Sequence, residues 1–108
     1  MFTISSREST VDVVTVAARL GSAGHVLVDV RTPEEVSAES IPGALNIPLA
    51  ELDQKVSELT QYQTIDLICR SGGRSGMAAA LLAARGLAQA KSVTGGLTAW
   101  AAAGLPIS

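Results

Sequence analysis

Ile65-Asp66-Leu67-Ile68, Cys69-Arg70-Ser71-Gly72-Gly73-Arg74-Ser75, Gly76-Met77-Ala78-Ala79-Ala80-Leu81-Leu82-Ala83-Ala84-Arg85: the three pieces of this stretch read as strand, tight glycine-bearing loop and helix. The only cysteine of the chain sits where the strand ends. A loop this short must turn sharply, and Gly72 and Gly73 can take positive φ at little steric cost. Successive amides in such a loop form an anion nest. The following helix adds its unpaired N-terminal N–H groups and the positive end of its dipole. Arg70 and Arg74 add two positive charges. All of these favour thiolate over thiol, and similar surroundings lower a cysteine pKa from about 8.5 to roughly 3.5–7.5. A lone cysteine at a strand end is more often a small buried apolar residue. The pair of arginines and the amide-rich loop instead point to a nucleophile in an anion-binding cradle. It stands at the carboxyl end of a sheet strand, where open α/β folds place their sites.

Working outward, the rest of the chain alternates strand and helix. Towards the amino terminus, Phe2-Thr3-Ile4 reads as a short edge strand. Thr10 is the expected N-cap of a helix over 10–20, whose Val13, Val16, Ala17 and Leu20 recur at helical spacing. His25 reads as a solvated residue at the entry to a strand. The run 26–30 is apolar except for Asp29, the pattern of a strand covered on both faces. A carboxylate there needs a partner, and Arg31 or loop amides are the candidates. Thr32-Pro33-Glu34-Glu35 reads as a helix start and nothing more: an N-cap, a proline at the first helical residue and acids in the first turn. That helix runs to about Ala38. A short strand is expected over 45–47. A helix over 49–58 carries the stripe Leu52, Val56 and Leu59.

Beyond the central stretch, the helix over 75–85 has Met77, Ala78, Leu81 and Leu82 as its buried side. Gly86 stops it. Val93 marks a last strand, and Gly95-Gly96 turns into a helix over 97–102 anchored by Trp100. The sum is an α/β fold: a three-layer α/β/α sandwich around a central, mainly parallel five-stranded sheet, in one domain spanning 1–108.

Composition narrows the function. Among 108 residues, 47% are hydrophobic but only 3% aromatic, so the core is aliphatic. The net charge of −2 offers no basic face for nucleic acid. A weakly acidic surface around a locally basic loop suggests a small anion as ligand. One cysteine excludes an internal disulfide, and one cysteine with one histidine is too few for a typical zinc site. No cofactor or metal is required by any motif. No apolar run reaches signal-peptide or membrane-span length, so a cytoplasmic location is the expectation.

The loop Cys69-Arg70-Ser71-Gly72-Gly73-Arg74-Ser75 resembles the active-site loop of the rhodanese (thiosulfate sulfurtransferase) family. Three further segments resemble family signatures in the same order: Leu27-Val28-Asp29-Val30-Arg31-Thr32-Pro33-Glu34-Glu35, Ile41-Pro42-Gly43-Ala44-Leu45-Asn46-Ile47-Pro48, and Gly95-Gly96-Leu97-Thr98-Ala99-Trp100 with Ala103-Gly104-Leu105-Pro106. The family usually has Gly-His before Ile-Pro-Gly-Ala. Here Glu39-Ser40 stands instead, which removes a histidine that orders the turn.

The resemblance implies sulfur transfer from a small anionic donor such as thiosulfate to a cyanide or thiol acceptor, through a persulfide on Cys69. It implies that the amides from Arg70 to Ser75, including Ser71, Gly72 and Gly73, hold the persulfide, and that Arg70 and Arg74 orient the donor. The Ser71 and Ser75 hydroxyls donate to sulfur, and Asp29 and Arg31 brace the loop. Two alternatives stay open. One is a persulfide carrier or docking module for a partner protein. The other is a phosphatase or arsenate reductase, for which the four residues between Cys69 and Arg74 make a narrow cradle.

Overall fold

The computed structural model describes residues 9–108. The elements run β1 Thr10–Val11, α1 Val13–Arg19, β2 His25–Asp29, α2 Pro33–Ala38, β3 Leu45–Asn46, α3 Leu49–Leu52, α4 Val56–Leu59, β4 Thr64–Ile68, α5 Gly73–Ala84, β5 Ala90–Val93 and α6 Gly96–Ala102. All strand pairs are parallel, in the order β1-β5-β4-β2-β3. The central strand is β4, as expected for its apolar continuity.

Side chains alternate across the sheet and divide the core in two. Val26, Val28, Ile65, Leu67 and Cys69 join Leu52, Leu59, Ala78, Ala79 and Leu82 on the face covered by α3, α4 and α5. Leu27, Ile68 and Val93 join Val13, Val16, Leu97 and Trp100 on the face covered by α1 and α6. These two apolar layers around one sheet are the expected three-layer sandwich. Among the described residues no helix is long and apolar enough to cross a membrane.

Several local expectations are corrected. The N-cap of α1 is Asp12, whose carboxylate accepts from the Thr15 amide at 2.8 Å. Thr10 instead lies in β1, paired with Ser92 at the sheet edge. The expected strand at Phe2-Thr3-Ile4 lies outside the described residues. The helix over 49–58 is split by a 3₁₀ turn at Asp53–Lys55, and Lys55 leaves the α region at φ −110°, ψ 7°. Leu52 and Leu59 are nonetheless fully buried. Helix α5 begins at Gly73 rather than Ser75, and its Met77 is 59% exposed rather than buried. Ala78, Ala79 and Leu82 are the apolar side chains that α5 buries against the sheet.

His25 is not solvated. Its side chain is buried with Nε2 2.8 Å from Asp66 Oδ2, and Arg19 donates to both Asp66 oxygens at 3.0 and 3.1 Å. A carboxylate inside the central strand requires such partners. The turn lacking the family histidine is ordered through the backbone. Ser40 and Ser108 exchange N–H···O bonds of 2.9 and 2.8 Å, and Trp100 Nε1 donates to Pro106 O at 2.9 Å to hold the same tail.

Candidate active site

The loop between β4 and α5 spans only residues 69–72. Gly72, at φ +117°, makes the turn and caps α5. That conformation is strained for any residue with a Cβ. It aims the Gly72 amide at Cys69 Sγ, 3.1 Å away. The first turn of α5 supplies the Ser75 amide at 3.3 Å. Gly73 is an ordinary helical residue, so one glycine of the pair, not both, carries positive φ. Ser71 lies exposed on the rim.

Cys69 is 2% exposed at the floor of this loop. Ser75 Oγ lies 3.4 Å from its sulfur and 2.8 Å from Ser92 Oγ on β5. The thiol donates towards Ser75, and after ionisation the hydroxyl reverses and donates to sulfur. Burial pushes the Cys69 thiol up. The Ser75 hydroxyl and amide, and the amides of Gly72 and Ser71, more than offset it, so the net shift is downward. Hydrogen bonds to the charged form therefore prevail over desolvation here.

The loop is also held from behind. At the start of α6 the Leu97 amide donates to Cys69 O at 2.8 Å, and the Thr98 amide and hydroxyl both donate to Arg70 O at 3.1 Å. This approach is possible only because Gly96 has no side chain. A Cβ there would stand 2.4 Å from Cys69 O and 2.7 Å from Arg70 O.

Neither loop arginine is a free charge. Arg74 is held by both Glu35 carboxylate oxygens, at 2.7 and 3.0 Å. The Arg74 hydrogen bonds, with those from Thr32, hold the Glu35 carboxyl well down, at about 2. Arg74 is raised, first by Glu35 and in smaller part by the charge of Cys69. Arg70 lies 3.6 Å from a Glu39 oxygen, both side chains being about half exposed. Glu35 thus does more than start a helix: it caps Thr32 and clamps the first turn of α5, next to the cysteine loop. Its spacing from Thr32, as in a capping box, was visible in the chain, but its reach to Arg74 was not.

Asp29 and Arg31 are both buried and form a two-pronged pair, with bonds of 2.9–3.2 Å. The hydrogen bonds of the Arg31 side chain go to Asp29 and, at 2.8 Å, to Glu39 O. Asn46 ties the Asp29 and Arg31 carbonyls at 2.9 and 3.0 Å. The pair therefore orders the 30–40 loop, and that loop carries Glu35 and Glu39 to the arginines. Direct bracing of the cysteine loop is replaced by this indirect path. Ser92, Glu39, Gly96 and Thr98 are further site residues that the sequence reading passed over.

Comparison with known proteins agrees with this geometry. The family model of the rhodanese-like domain matches residues 12–103. A protein named sulfurtransferase from Allochromatium vinosum is 38% identical over 98 residues, covering 90% of this chain and 92% of that protein. The chloroplastic thiosulfate sulfurtransferase 16 of Arabidopsis thaliana is 41% identical, over 86% of this chain and 88% of that one. The crystal structure of a rhodanese-related protein from Thermoplasma volcanium superposes with a TM-score of 0.81 at 29% identity, covering 92% of this chain and 96% of that one. A cysteine loop cradled by backbone amides at the end of a central parallel strand, and a family match running over nearly the whole chain, lead to one assignment: this chain belongs to the rhodanese-like domain family.

Proposed function

We propose that the chain is a sulfurtransferase that takes sulfane sulfur from thiosulfate or a similar donor and passes it to a thiol or cyanide through a persulfide on Cys69. The observation that carries this reading is the cradle around one nearly buried sulfur, with the Gly72 and Ser75 amides and the Ser75 hydroxyl all within 3.4 Å of Sγ. Such an arrangement stabilises a thiolate before the reaction and a terminal persulfide anion after it, an oxyanion-hole argument applied to sulfur.

In the first half-reaction Cys69 S⁻ attacks the outer sulfur of the donor. A sulfur–sulfur bond forms to Cys69, the donor's own sulfur–sulfur bond breaks, and its electron pair leaves with sulfite. In the second, the acceptor's lone pair attacks the terminal sulfur and Cys69 leaves as thiolate. Ping-pong kinetics follow from this covalent route. The lowered pKa of Cys69 raises the share of thiolate available for this attack.

Phosphate chemistry is disfavoured by the same geometry. Four residues separate Cys69 from Arg74, and both nitrogens that Arg74 would offer an oxyanion are on Glu35. The carrier reading shares the persulfide but not the turnover.

The test is intact mass after brief exposure to thiosulfate and then to cyanide. A gain of one sulfur atom, removed by cyanide and missing in Cys69→Ser, is the expected result. No gain with a free and reactive thiol would refute thiosulfate as donor. A stable gain with negligible steady-state turnover would favour the carrier.

A further inference from the structure

Among the described residues, three ion pairs stand at or behind the cysteine loop: Arg31 with Asp29, Arg70 with Glu39 and Arg74 with Glu35. Their formal charges sum to zero. Ionisation of Cys69 adds a negative charge beside these balanced pairs. The local dipoles that would offset it, the amides of Gly72 and Ser75, already point at Sγ. A positive loop, as the sequence suggests from Arg70 and Arg74 alone, is therefore not what a donor meets.

We infer that Glu35 and Glu39 are specificity residues: by balancing Arg74 and Arg70 they turn the site against doubly charged sulfane donors and towards donors with one negative charge or none. The inference rests on the sulfur-transfer reading above. The two glutamates act differently. Glu35 makes two short bonds and remains ionised over the whole working range, so Arg74 is balanced at all times. Glu39 meets Arg70 at 3.6 Å on an exposed rim, where an arriving anion competes for the same guanidinium. Exposed pairs of this kind are weak, so the Arg70 pair yields first and Arg74 stays closed.

Thiosulfate and methanethiosulfonate are a matched pair of probes. Each presents an outer sulfur on a sulfonyl centre, and a methyl group in one replaces a charged oxygen in the other. Cys69 thiolate attacks either in the same way: a persulfide forms, the donor's sulfur–sulfur bond breaks, and sulfite or methanesulfinate leaves with the electron pair.

The experiment compares kcat/KM for both donors in the unaltered chain, Glu39→Gln and Glu35→Gln, each at low and high ionic strength. In water one unit charge acting on another across roughly 7 Å is worth about threefold, and removal of one glutamate charge beside the donor is expected on that scale. Each variant is accordingly expected to improve thiosulfate over methanethiosulfonate by about that factor. The gain should fade when the Debye length drops well below ~10 Å at high salt. Intrinsic leaving-group differences cancel in this ratio of ratios. Glu39→Gln alters a half-exposed side chain, and Gln at residue 35 keeps an acceptor for the Thr32 amide, so a folding defect does not obscure the result.

Equal changes for both donors would overturn the inference, as would a thiosulfate rate in the unaltered chain that falls steeply with salt. Persulfide formation from both donors without charge discrimination would overturn the specificity role alone. Absence of cyanide-labile sulfur on Cys69 with either donor would overturn the sulfur-transfer reading and this inference with it.

Discussion

Glu35 grips Arg74 through two hydrogen bonds, at 2.7 and 3.0 Å, while the same carboxylate accepts from the Thr32 amide at 3.0 Å. One side chain thus closes the start of α2 and ties it to the first turn of α5. The Glu35 pKa is depressed to about 2. A depressed carboxyl contributes stability that is present above its unfolded value and lost as pH falls through the folded one. The window runs from about 4.5 down to about 2. Glu35→Gln should therefore lose less stability than the unaltered chain between these limits. Thermal unfolding at a series of pH values checks this, and parallel curves would sink it.

The Cys69 thiolate gives a second pH signature. Its pKa lies below the ordinary cysteine value, so the acid limb of the donor half-reaction should fall at lower pH than for an ordinary thiol, with activity lost as pH falls through the folded value. Ser75→Ala removes the strongest opponent of burial and should move that limb upward. Thiolate absorbance in the ultraviolet, titrated without any donor, reads the shift directly.

Ser92 should act at one remove. Its hydroxyl is 2.8 Å from Ser75 Oγ. When Ser92 donates to Ser75, the Ser75 proton is free to turn towards sulfur rather than to the Gly72 carbonyl, 3.3 Å away. Ser92→Ala should raise the Cys69 midpoint less than Ser75→Ala does, and Ser92→Thr should restore it. A change in stability with an unmoved midpoint would reduce Ser92 to packing.

The sheet, the cysteine loop and the helix after it were legible because each is local. An apolar strand, a glycine and an alanine-rich helix adjoin in the chain, and the Gly72 and Ser75 amides reach Sγ across three and six residues. The charge state of the cradle was not legible. Glu35 and Arg74 are 39 residues apart, and nothing in either neighbourhood announces the other. His25 misled for the same reason: its partner Asp66 lies 41 residues on, one strand over. Thr10 was read by propensity as a cap, but pairing with β5 prevailed, a tertiary contact overriding a local preference. Met77 is at helical spacing from Leu81, but the buried side of α5 is centred on Ala78, Ala79 and Leu82, and Met77 projects away from it.

The Asp66 cluster predicts a stability effect separate from catalysis. Asp66 is fully buried and holds His25 and Arg19, on the sheet face opposite the Cys69 side chain. Removing the carboxylate leaves a buried imidazole and a part-buried guanidinium without their acceptor. Asp66→Ala should cost about 3 kcal/mol, the lower end for a broken buried pair because Arg19 keeps some contact with water. The thiolate titration of Cys69 should be unchanged. Urea denaturation and the ultraviolet titration together decide it, and a shifted thiolate midpoint would show that the cluster and the site are coupled.

Gly96 and Gly73 make a matched pair for testing how the loop is held. An alanine Cβ at residue 96 would meet the Cys69 and Arg70 carbonyls at 2.4 and 2.7 Å, backbone atoms that cannot swing aside. One at residue 73 meets nothing within 4 Å, in a conformation that needs no glycine. Gly96→Ala must push α6 off the loop, break the Leu97 and Thr98 bonds, or both. It should cost more than about 2 kcal/mol, as strain in a packed backbone does. It should also lower persulfide formation beyond what the lost stability explains, because the carbonyl it displaces is that of the reacting residue. Gly73→Ala lies in a helix and should be neutral or slightly stabilising. If both variants charge Cys69 with sulfur at the parent rate, the α6 clamp is a feature of the fold and the cradle keeps its geometry without it.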